Sequence, residues 1–272
     1  MNLDKYFALL QKGKIKKAEE YRQSEIPSKL IKFIWLDGKG TESDEKKLTS
    51  LSKEEIWFSH ISQLNDPYEF KGMVLDKNKF RDAGYPEELI LEYEKEFSFN
   101  EWGVTCLSGK EIDYLPMWAY YTNNHQGYCV EYDVIKKDCI HKVLYEPKRI
   151  PVASLIVEYA KAIKRALSIG KTSTEETRFL GQVFMQILFI KSKHWEHEHE
   201  YRIAYPIDNN VGKCVPISNL GLRTSKIIAG INCAEDTVDR LNDIAKSIGC
   251  GMAYKAGISE TEYTLVEERI EK

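Results

Sequence analysis

The alternation of apolar and polar residues along the chain predicts a set of short strands and a smaller set of helices. Strands are predicted where β-branched and aromatic residues lie between turn residues, at 29–36, 56–59, 103–108, 127–132, 141–145, 213–217, 226–231, 252–256 and 262–266. Helices are predicted where apolar residues recur at helical spacing, at 80–97, 115–124, 155–167, 180–188 and 234–248. The polar stretch from Gly38 to Lys47 predicts a loop.

Two finer predictions concern strand pairing and helix ends. The strand at 141–145 is expected to pair beside the strand at 127–132. The helix at 234–248 is expected to begin at an Asn232 cap and to end before Gly249.

The order of these elements predicts the fold class. Strands and helices do not alternate regularly enough for a doubly wound parallel sheet, so we expect an α+β fold. Residues 26–272 should form a single mixed domain, because no linker, repeat or low-complexity tract divides them. Residues 1–25 are predicted to form an N-terminal helical arm, with two short helices on either side of Gly13.

Composition narrows the class of protein. Of the 272 residues, 43% are hydrophobic and 30% charged, and the net charge of -3 argues against a general electrostatic grip on nucleic acid. The six cysteines are scattered, and the chain has neither a secretory pattern nor an apolar run of about 18 residues. We therefore expect a cytoplasmic protein with reduced thiols and no membrane segment.

Several common catalytic motifs are absent from the sequence. It has no G-x-x-x-x-G-K-[ST] phosphate loop, no G-x-G-x-x-G after a strand, no H-E-x-x-H and no G-x-S-x-G. These absences argue against Walker-type nucleotide enzymes, Rossmann cofactor enzymes and most other familiar enzyme classes.

Residues 194–200, with the sequence HWEHEHE, hold the densest group of ionisable side chains. If a strand already begins here, Glu198, Glu200 and Arg202 share one face, because side chains alternate across a strand. Two carboxylates so close couple electrostatically and could stabilise a cationic transition state while orienting a nucleophile. The alternative is a solvated charged face, on which Glu200 and Arg202 are merely neighbours.

The histidines of the same run allow a second interpretation. His197 and His199 would lie on the other strand face with His194 nearby, where they could meet one metal ion. Zinc needs three or four ligands, and no other part of the chain has metal-ligand spacing. We therefore expect no metal, and partly exposed edge-strand histidines are the simpler interpretation.

The predicted helix at 115–124 offers an aromatic face. Trp118, Tyr121 and His125 follow one another at i, i+3 and i+7, so they could stack a flat heterocycle and hydrogen-bond its substituents. The alternative is a face that packs into the core. The polar exit of the helix, Asn123-Asn124-His125, slightly favours a ligand, since these groups are costly to bury without partners.

Asn65-Asp66-Pro67 predicts a turn after the strand at 56–59. Asp66 can cap the segment that Pro67 begins. From these residues alone, a plain tight turn is the favoured interpretation.

Three motifs together make the chain similar to a bacterial family known as a domain of unknown function. The first is the Asn-Asp-Pro-aromatic turn at 65–68. The second is Met-Trp-x-x-Tyr-x-x-x-His-x-Gly-x-Cys-x-Glu-aromatic-Asp at 117–133, and the third is Trp-x-x-Glu-x-Glu-Tyr-Arg at 195–202. The motifs lie within residues 56–205, and Ile31-Lys32-Phe33 stands where the family usually has Tyr-Lys-Tyr.

This family in turn resembles the ADP-ribosyltransferases, which implies a split mixed β-sheet core that holds NAD in a central cleft. The resemblance implies that Glu200 and Glu198 are catalytic, because the glutamate of those enzymes often lies in a Glu-x-Glu at the start of a strand. It implies that Tyr121 or Trp118 stacks on nicotinamide. The other NAD-binding residues that it implies are Asn65, His125, Arg202 and Ser108, the last in a segment that loosely resembles a Ser-Thr-Ser element. Unlike those enzymes, the chain has no clear Arg or His for NAD on its first strand.

The expected activity is that of an NAD-dependent ADP-ribosyltransferase or NAD glycohydrolase, in phage defence or a toxin system. Cleavage would pass through an oxocarbenium-like state, with Glu200 on the ribose 2′-hydroxyl and Glu198 orienting the acceptor, which is water, a protein or a nucleic acid. Two alternatives stay open. One is a nucleotide- or protein-binding sensor without catalysis, and the other is a histidine-metal phosphodiesterase or nuclease.

Overall fold

The computed structural model describes residues 1–96 and 101–270. Within these ranges the α-helices are α1 (Leu3–Gln11), α2 (Ile15–Ser24), α3 (Glu42–Ser52), α4 (Lys77–Asp82), α5 (Glu87–Glu96), α6 (Leu115–Tyr121), α7 (Ala153–Ser168), α8 (Glu175–Leu188) and α9 (Glu235–Ser247). The strands are β1 (Lys29–Ile34), β2 (Glu55–His60), β3 (Met73–Val74), β4 (Trp102–Ser108), β5 (Tyr128–Val134), β6 (His141–Lys142), β7 (Leu144–Glu146), β8 (Ile150–Pro151), β9 (Ile190–Ser192), β10 (Glu200–Pro206), β11 (Gly212–Pro216), β12 (Leu222–Ala229), β13 (Tyr254–Ile258) and β14 (Leu265–Arg269).

Within residues 1–96 and 101–270, ten strands form one large mixed sheet. Its main order is β11-β2-β4-β1-β5-β12-β13-β14, and β10 pairs with both β4 and β6. The pairing of β12 with β13 is parallel, and the other pairings of this sheet are antiparallel. Two short parallel pairs, β3 with β8 and β7 with β9, lie outside it. The expected mixed α+β class is confirmed.

The sheet is nearly divided between β1 and β4. β1 pairs with β5 along its whole length, and β4 pairs with β10 along its whole length. Among the described residues, β1 and β4 are joined at one register position, where Ile31 lies opposite Ser108. The two halves of the sheet therefore meet at a point and leave space between the strands on one side of it.

Among the described residues, two large apolar cores pack against the sheet, and the first contains residues from both sides of the division, such as Leu30 and Ile203. One contains Leu48 and Leu51 of α3 and Val238 and Leu241 of α9, packed against residues of the sheet. The other contains Val183 and other residues of α8 and α7, together with residues of the N-terminal helices. Burial of these apolar stripes is what holds the helices against the sheet.

Residues 1–25 contain two helices, as predicted, with Gly13 between them in a left-handed conformation (φ 65°). Tyr6, Leu10 and Ala18 are buried in the same core as α7 and α8. Arg22 donates hydrogen bonds to the backbone oxygens of Ile140 and Asp138. The two helices therefore pack on the rest of the chain through both apolar and polar contacts.

Two local predictions about secondary structure are wrong. The stretch from Gly38 to Lys47 is not all loop, because α3 begins at Glu42, with the Thr41 hydroxyl accepting from the Asp44 backbone. Leu48 and Leu51 provide the buried face of this helix, and the predicted loop ended just before them. The predicted helix at 80–97 is two helices, α4 and α5, and residue 97 lies outside the described residues.

Two predictions about pairing and capping are also wrong. The segment at 141–145 divides into β6 and β7, which pair with β10 and β9 rather than with β5. The N-cap of α9 is Ala234, which makes no side-chain cap, whereas the Asn232 amide donates to the backbone oxygen of Asn124. Gly249 does follow the helix end, with a φ of 76°.

Candidate functional site

The chain around Glu198 and Glu200 is not the continuous strand that the alternation predicts. After β9, residues Lys193–Glu198 form a 3-10 helix, and His199 ends it in a left-handed conformation (φ 46°, ψ 51°). β10 begins only at Glu200. The reversal at His199 nevertheless brings the two carboxylates to one place. Lys191 Nζ donates to both of them, to Glu198 Oε2 (2.7 Å) and to Glu200 Oε2 (3.3 Å).

Glu200 belongs to a buried network of charges. Arg202 Nε donates to Glu200 Oε1 (2.7 Å), and its Nη2 donates to Glu200 Oε2 (2.8 Å). The other side of the same guanidinium binds both oxygens of Glu69 at 2.6 and 2.8 Å. Lys191 completes the network at 3.2 Å from Glu69. Glu200 is 5% exposed and Arg202 1%, so the solvated charged face is excluded.

The turn at Asn65-Asp66-Pro67 positions one member of this network. Asp66 Oδ1 accepts from the Tyr68 backbone N–H (2.9 Å), which is the capping interaction expected for this residue. The turn places Asn65 on one side, where it lines a cleft, and Glu69 on the other, where it binds Arg202. The predicted turn is therefore also part of the charged site.

A cleft of about 150 Å³ lies beside the network, at the division between β1 and β4. Its walls are formed by Ile31, Lys32, Phe33, Leu64, Asn65, Glu69, Cys106, Leu107, Ser108, Met117, Tyr121, Lys191, Glu198 and Glu200. Five of the residues predicted for the site, Glu198, Glu200, Tyr121, Asn65 and Ser108, are thus brought together here. Trp118, His125 and Arg202 do not line the cleft.

Trp118 packs into the core, which was the alternative to a ligand-binding face. Its side chain is fully buried, its indole N–H donates to the Ile112 backbone oxygen (2.6 Å), and its ring packs edge-on against Phe33. His125 stacks on the indole, with ring centroids 6.1 Å apart. The expected helical face does not reach His125, because α6 ends at Tyr121 and residues 123–125 are all left-handed.

Tyr121 and Ser108 support the carboxylate of Glu198 in different ways. The Tyr121 hydroxyl donates directly to Glu198 Oε1. The Ser108 hydroxyl donates to the backbone oxygen of Glu198 (2.9 Å), so it fixes the chain that carries this side chain. Burial and the neighbouring Glu198 raise the pKa of Tyr121, which keeps its hydroxyl proton available as a donor.

The two glutamates have pKa values that are displaced in opposite directions. Burial raises the pKa of Glu198, and Lys191 offsets only part of this effect. Burial also acts to raise the pKa of Glu200, but the charges of Arg202 and Lys191 outweigh it and lower the pKa to about 2. Glu200 is therefore ionised at neutral pH, whereas Glu198 takes up a proton more readily than an ordinary glutamate.

The structure adds three residues to which the sequence reasoning gave no role. Glu69 lay within the recognised turn, and Lys191 lay in an apolar segment before the histidine-glutamate run. Lys32 projects from β1, where its ammonium donates to Thr105 Oγ1 (2.9 Å) and to the backbone oxygen of Cys106 (3.3 Å). Burial lowers the pKa of Lys32 and raises that of the Cys106 thiol. A lone lysine inside a buried strand was the available signal.

Two further cavities adjoin the network. One of about 620 Å³ is lined by Glu200, by Tyr145 and by residues 1–4 of the N-terminal segment. Another of about 250 Å³ is lined by Lys191 and by three more cationic residues, Lys71, Lys148 and Arg149. Glu200 therefore lies between the cleft and the wide cavity, and Lys191 lies between the cleft and the basic cavity.

The part of the chain that the structure describes contains no ligand set for the predicted alternative of a metal site. No group of three or more His, Cys, Asp or Glu side chains there is arranged to hold a metal ion. The Nδ1 atom of His194 contacts the Ser192 hydroxyl, and the Nδ1 atom of His197 contacts the His194 backbone oxygen. In residues 1–96 and 101–270, no helix is both long and apolar enough to cross a membrane.

Comparison with known proteins gives one partial match. No curated protein and no solved structure matches the chain. Residues 117–203, which include most of α6 and the two glutamates, match the model of a family described as a protein of unknown function (DUF2971).

Proposed function

We propose that the cleft between β1 and β4 binds NAD and cleaves its nicotinamide–ribose bond, as an ADP-ribosyltransferase or NAD glycohydrolase does. The observation that carries this proposal is the pair of carboxyl groups of Glu198 and Glu200, which line one cleft with pKa values moved in opposite directions. Glycoside-cleaving enzymes use pairs of carboxyl groups whose surroundings separate their protonation states in this manner.

The position of the cleft supports the proposal. It lies where the mixed sheet is nearly divided, with β1 on one side and β4 on the other. A split mixed sheet with a central NAD cleft is the arrangement that a relationship to the ADP-ribosyltransferase fold requires, and this relationship is part of the proposal.

The size of the cleft sets how NAD would lie. At about 150 Å³ it is smaller than the roughly 300–1,000 Å³ of most small-molecule sites. One ring, the nicotinamide, would enter the cleft against Tyr121, with Asn65 and Ser108 beside it. The adjoining cavity with Lys71, Lys148 and Arg149 offers positive charge for the pyrophosphate.

In the reaction, the bond between ribose C1′ and the pyridinium nitrogen breaks, and its electron pair leaves with neutral nicotinamide. The ionised carboxylate of Glu200 stabilises the positive charge that develops on the ribose. Arg202 and Lys191 already occupy three of its roughly four acceptor sites. Its contribution is therefore its charge, rather than the hydrogen bond to the 2′-hydroxyl expected from the resemblance.

Glu198 completes the reaction as the proton acceptor. Water or a macromolecular acceptor adds its oxygen or nitrogen to C1′, and the proton that it loses passes to Glu198. Because the pKa of Glu198 is raised, it is a stronger base than an ordinary glutamate. The wide cavity on the other side of Glu200 gives a macromolecular acceptor room to approach. Removal of NAD in this way would suit phage defence or a toxin system.

The proposal is tested by measuring nicotinamide release from NAD by the purified full-length chain. We expect release by the wild type, loss of about 100-fold or more in Glu200→Gln, and a smaller loss in Glu198→Gln. Glu262→Gln is the matched control, because Glu262 is exposed and lines none of the three cavities described above. Equal rates in wild type and Glu200→Gln, or no release with any acceptor protein or nucleic acid, would overturn the proposal.

A second candidate function is a nucleotide-binding sensor without catalysis. The observation that favours it is that Glu69, Glu198 and Glu200 are already paired with Lys191 or Arg202. A network of this kind can be purely structural. Thermal stabilisation by NAD without nicotinamide release would select the sensor.

A further inference from the structure

Lys32 differs in its partners from Lys191 and Arg202, the two cations of the buried network. Lys191 contacts three carboxylates, and Arg202 is bound on both sides by carboxylates. Lys32 lines the same cleft, but among residues 1–96 and 101–270 it forms no ion pair with a carboxylate. Within the described part of the chain, its ammonium donates to the Thr105 hydroxyl and the Cys106 backbone oxygen.

This arrangement leaves the Lys32 ammonium with one N–H donor for a ligand. An ammonium group carries three N–H donors, and protein oxygens of the described residues accept two of them. Its surroundings also disfavour the charge, because burial lowers the pKa of Lys32. A ligand oxygen that accepts the third N–H would replace hydration that the cleft has removed.

The other walls of the cleft limit which oxygen this can be. Glu69, Glu198 and Glu200 line the same small space, so a phosphate or a carboxylate would meet like charges. A carboxamide is neutral and offers both a carbonyl acceptor and two N–H donors. The carbonyl oxygen can accept a hydrogen bond from Lys32, and the N–H groups can donate to Glu198 or to the Asn65 side chain.

We propose that Lys32 is the specificity-determining residue of the cleft, where its ammonium donates to the carbonyl oxygen of a carboxamide on a flat ring. In this arrangement the ring lies between β1 and Tyr121, and the cleft selects the neutral amide over the corresponding acid. The choice of nicotinamide as the ring rests on the proposed function, whereas the selectivity for a carboxamide rests on Lys32 and its neighbours.

The first test measures direct binding of nicotinamide, nicotinate and 3-methylpyridine to the full chain by NMR. We expect nicotinamide to bind at least about tenfold more tightly than the other two, and Lys32→Met to reduce this difference to less than about threefold. Lys29→Met is the matched control, because Lys29 lies on the same strand but is 54% exposed and pairs with Glu131. It should bind as the wild type does.

The second test uses only the wild-type chain and so does not depend on folding of a variant. Amine acylation is followed by mass spectrometry at Lys32 and Lys29, with and without nicotinamide. We expect nicotinamide to protect Lys32 severalfold and Lys29 not at all. Pyrophosphate should protect neither residue.

The possible outcomes separate this inference from the proposed function. Nicotinamide binding that depends on Lys32, without NAD cleavage, supports the inference and removes only the enzymatic proposal. Unchanged binding in Lys32→Met, equal affinity for the acid and the amide, protection by pyrophosphate, or no binding of nicotinamide would each overturn the inference.

Discussion

The interior around Trp118 and the interior around Arg202 are both closed to solvent, yet they are built from opposite chemistry. Trp118 packs with Ile31, Cys129, Ile228 and other apolar side chains on one half of the sheet. Arg202 lies among carboxylates and Lys191 on the other half. The two regions are separated by the division between β1 and β4.

This difference shows what each region contributes. An apolar core gains stability in proportion to the area that it buries. A buried ionic network gains little over an apolar replacement of the same shape, but it loses much when a single partner is removed. We infer that the charged region is present for what the cleft binds, whereas the apolar region is present for stability.

The comparison predicts the largest loss of stability for Arg202→Met. Among the described residues, this change leaves Lys191 as the remaining cation in ion-pair contact with Glu69 and Glu200. We expect a loss of about 3–5 kcal/mol in the free energy of unfolding. Denaturant titration measures it. Arg223→Met is the control, because Arg223 is 68% exposed and pairs with Asp133, so it should cost less than about 1 kcal/mol. Similar losses in the two variants would contradict the account.

The charged region should also make stability depend on pH in acid. The pKa of Glu200 is lowered from 4.5 to about 2 in the folded chain. Its contribution is therefore fully present above pH 4.5 and is lost as the pH falls toward 2, by about 3 kcal/mol in total. Unfolding followed between pH 2 and 5 tests this. Glu200→Gln should remove this part of the dependence, and an unchanged acid profile in that variant would contradict the assignment.

Tyr121→Phe should have a smaller effect. The change removes the hydroxyl that donates to the buried Glu198, and a hydrogen bond to a charged group is worth about 1.5–3 kcal/mol. We expect a loss of that size in denaturant titration. The pKa of Glu198, followed by carboxyl NMR, should rise further because the charged form loses a donor. A pKa that falls instead would show that the hydroxyl does not stabilise the carboxylate.

The smallest effect is expected for Ile228→Val in the apolar region. Ile228 is fully buried, and removal of one methylene there should cost about 0.5–1.5 kcal/mol. Denaturant titration should show the same cost at pH 3 and pH 7, because no charge is involved. A loss that changes with pH would mean that the two regions are coupled through the sheet.

The sequence predicted most elements of this fold because their apolar spacing is regular. The strands at 29–36, 103–108 and 127–132 and the helices at 155–167 and 180–188 appear with shifted ends. The helix α3 was missed because its buried face depends mainly on Leu48 and Leu51 within a charged segment. Periodicity carries little information where so few apolar residues define the buried side.

The site was predicted in part, for a different physical reason than the structure gives. Strand alternation was the argument for bringing Glu198 and Glu200 together, but a left-handed His199 does so instead. Trp118 was a candidate for stacking because helical spacing does not tell a core face from a ligand face. Glu69 and Lys191 were missed because their partners are distant in sequence or separated by the 3-10 helix.

A crystal structure of the chain with a non-hydrolysable carbocyclic analogue of NAD would show whether the scissile bond lies at Glu198 and Glu200. We expect the nicotinamide ring between β1 and Tyr121, with C1′ of the carbocyclic ring facing Glu198 and Glu200. An analogue bound away from these two carboxyl groups, or no bound analogue at saturating concentration, would contradict it.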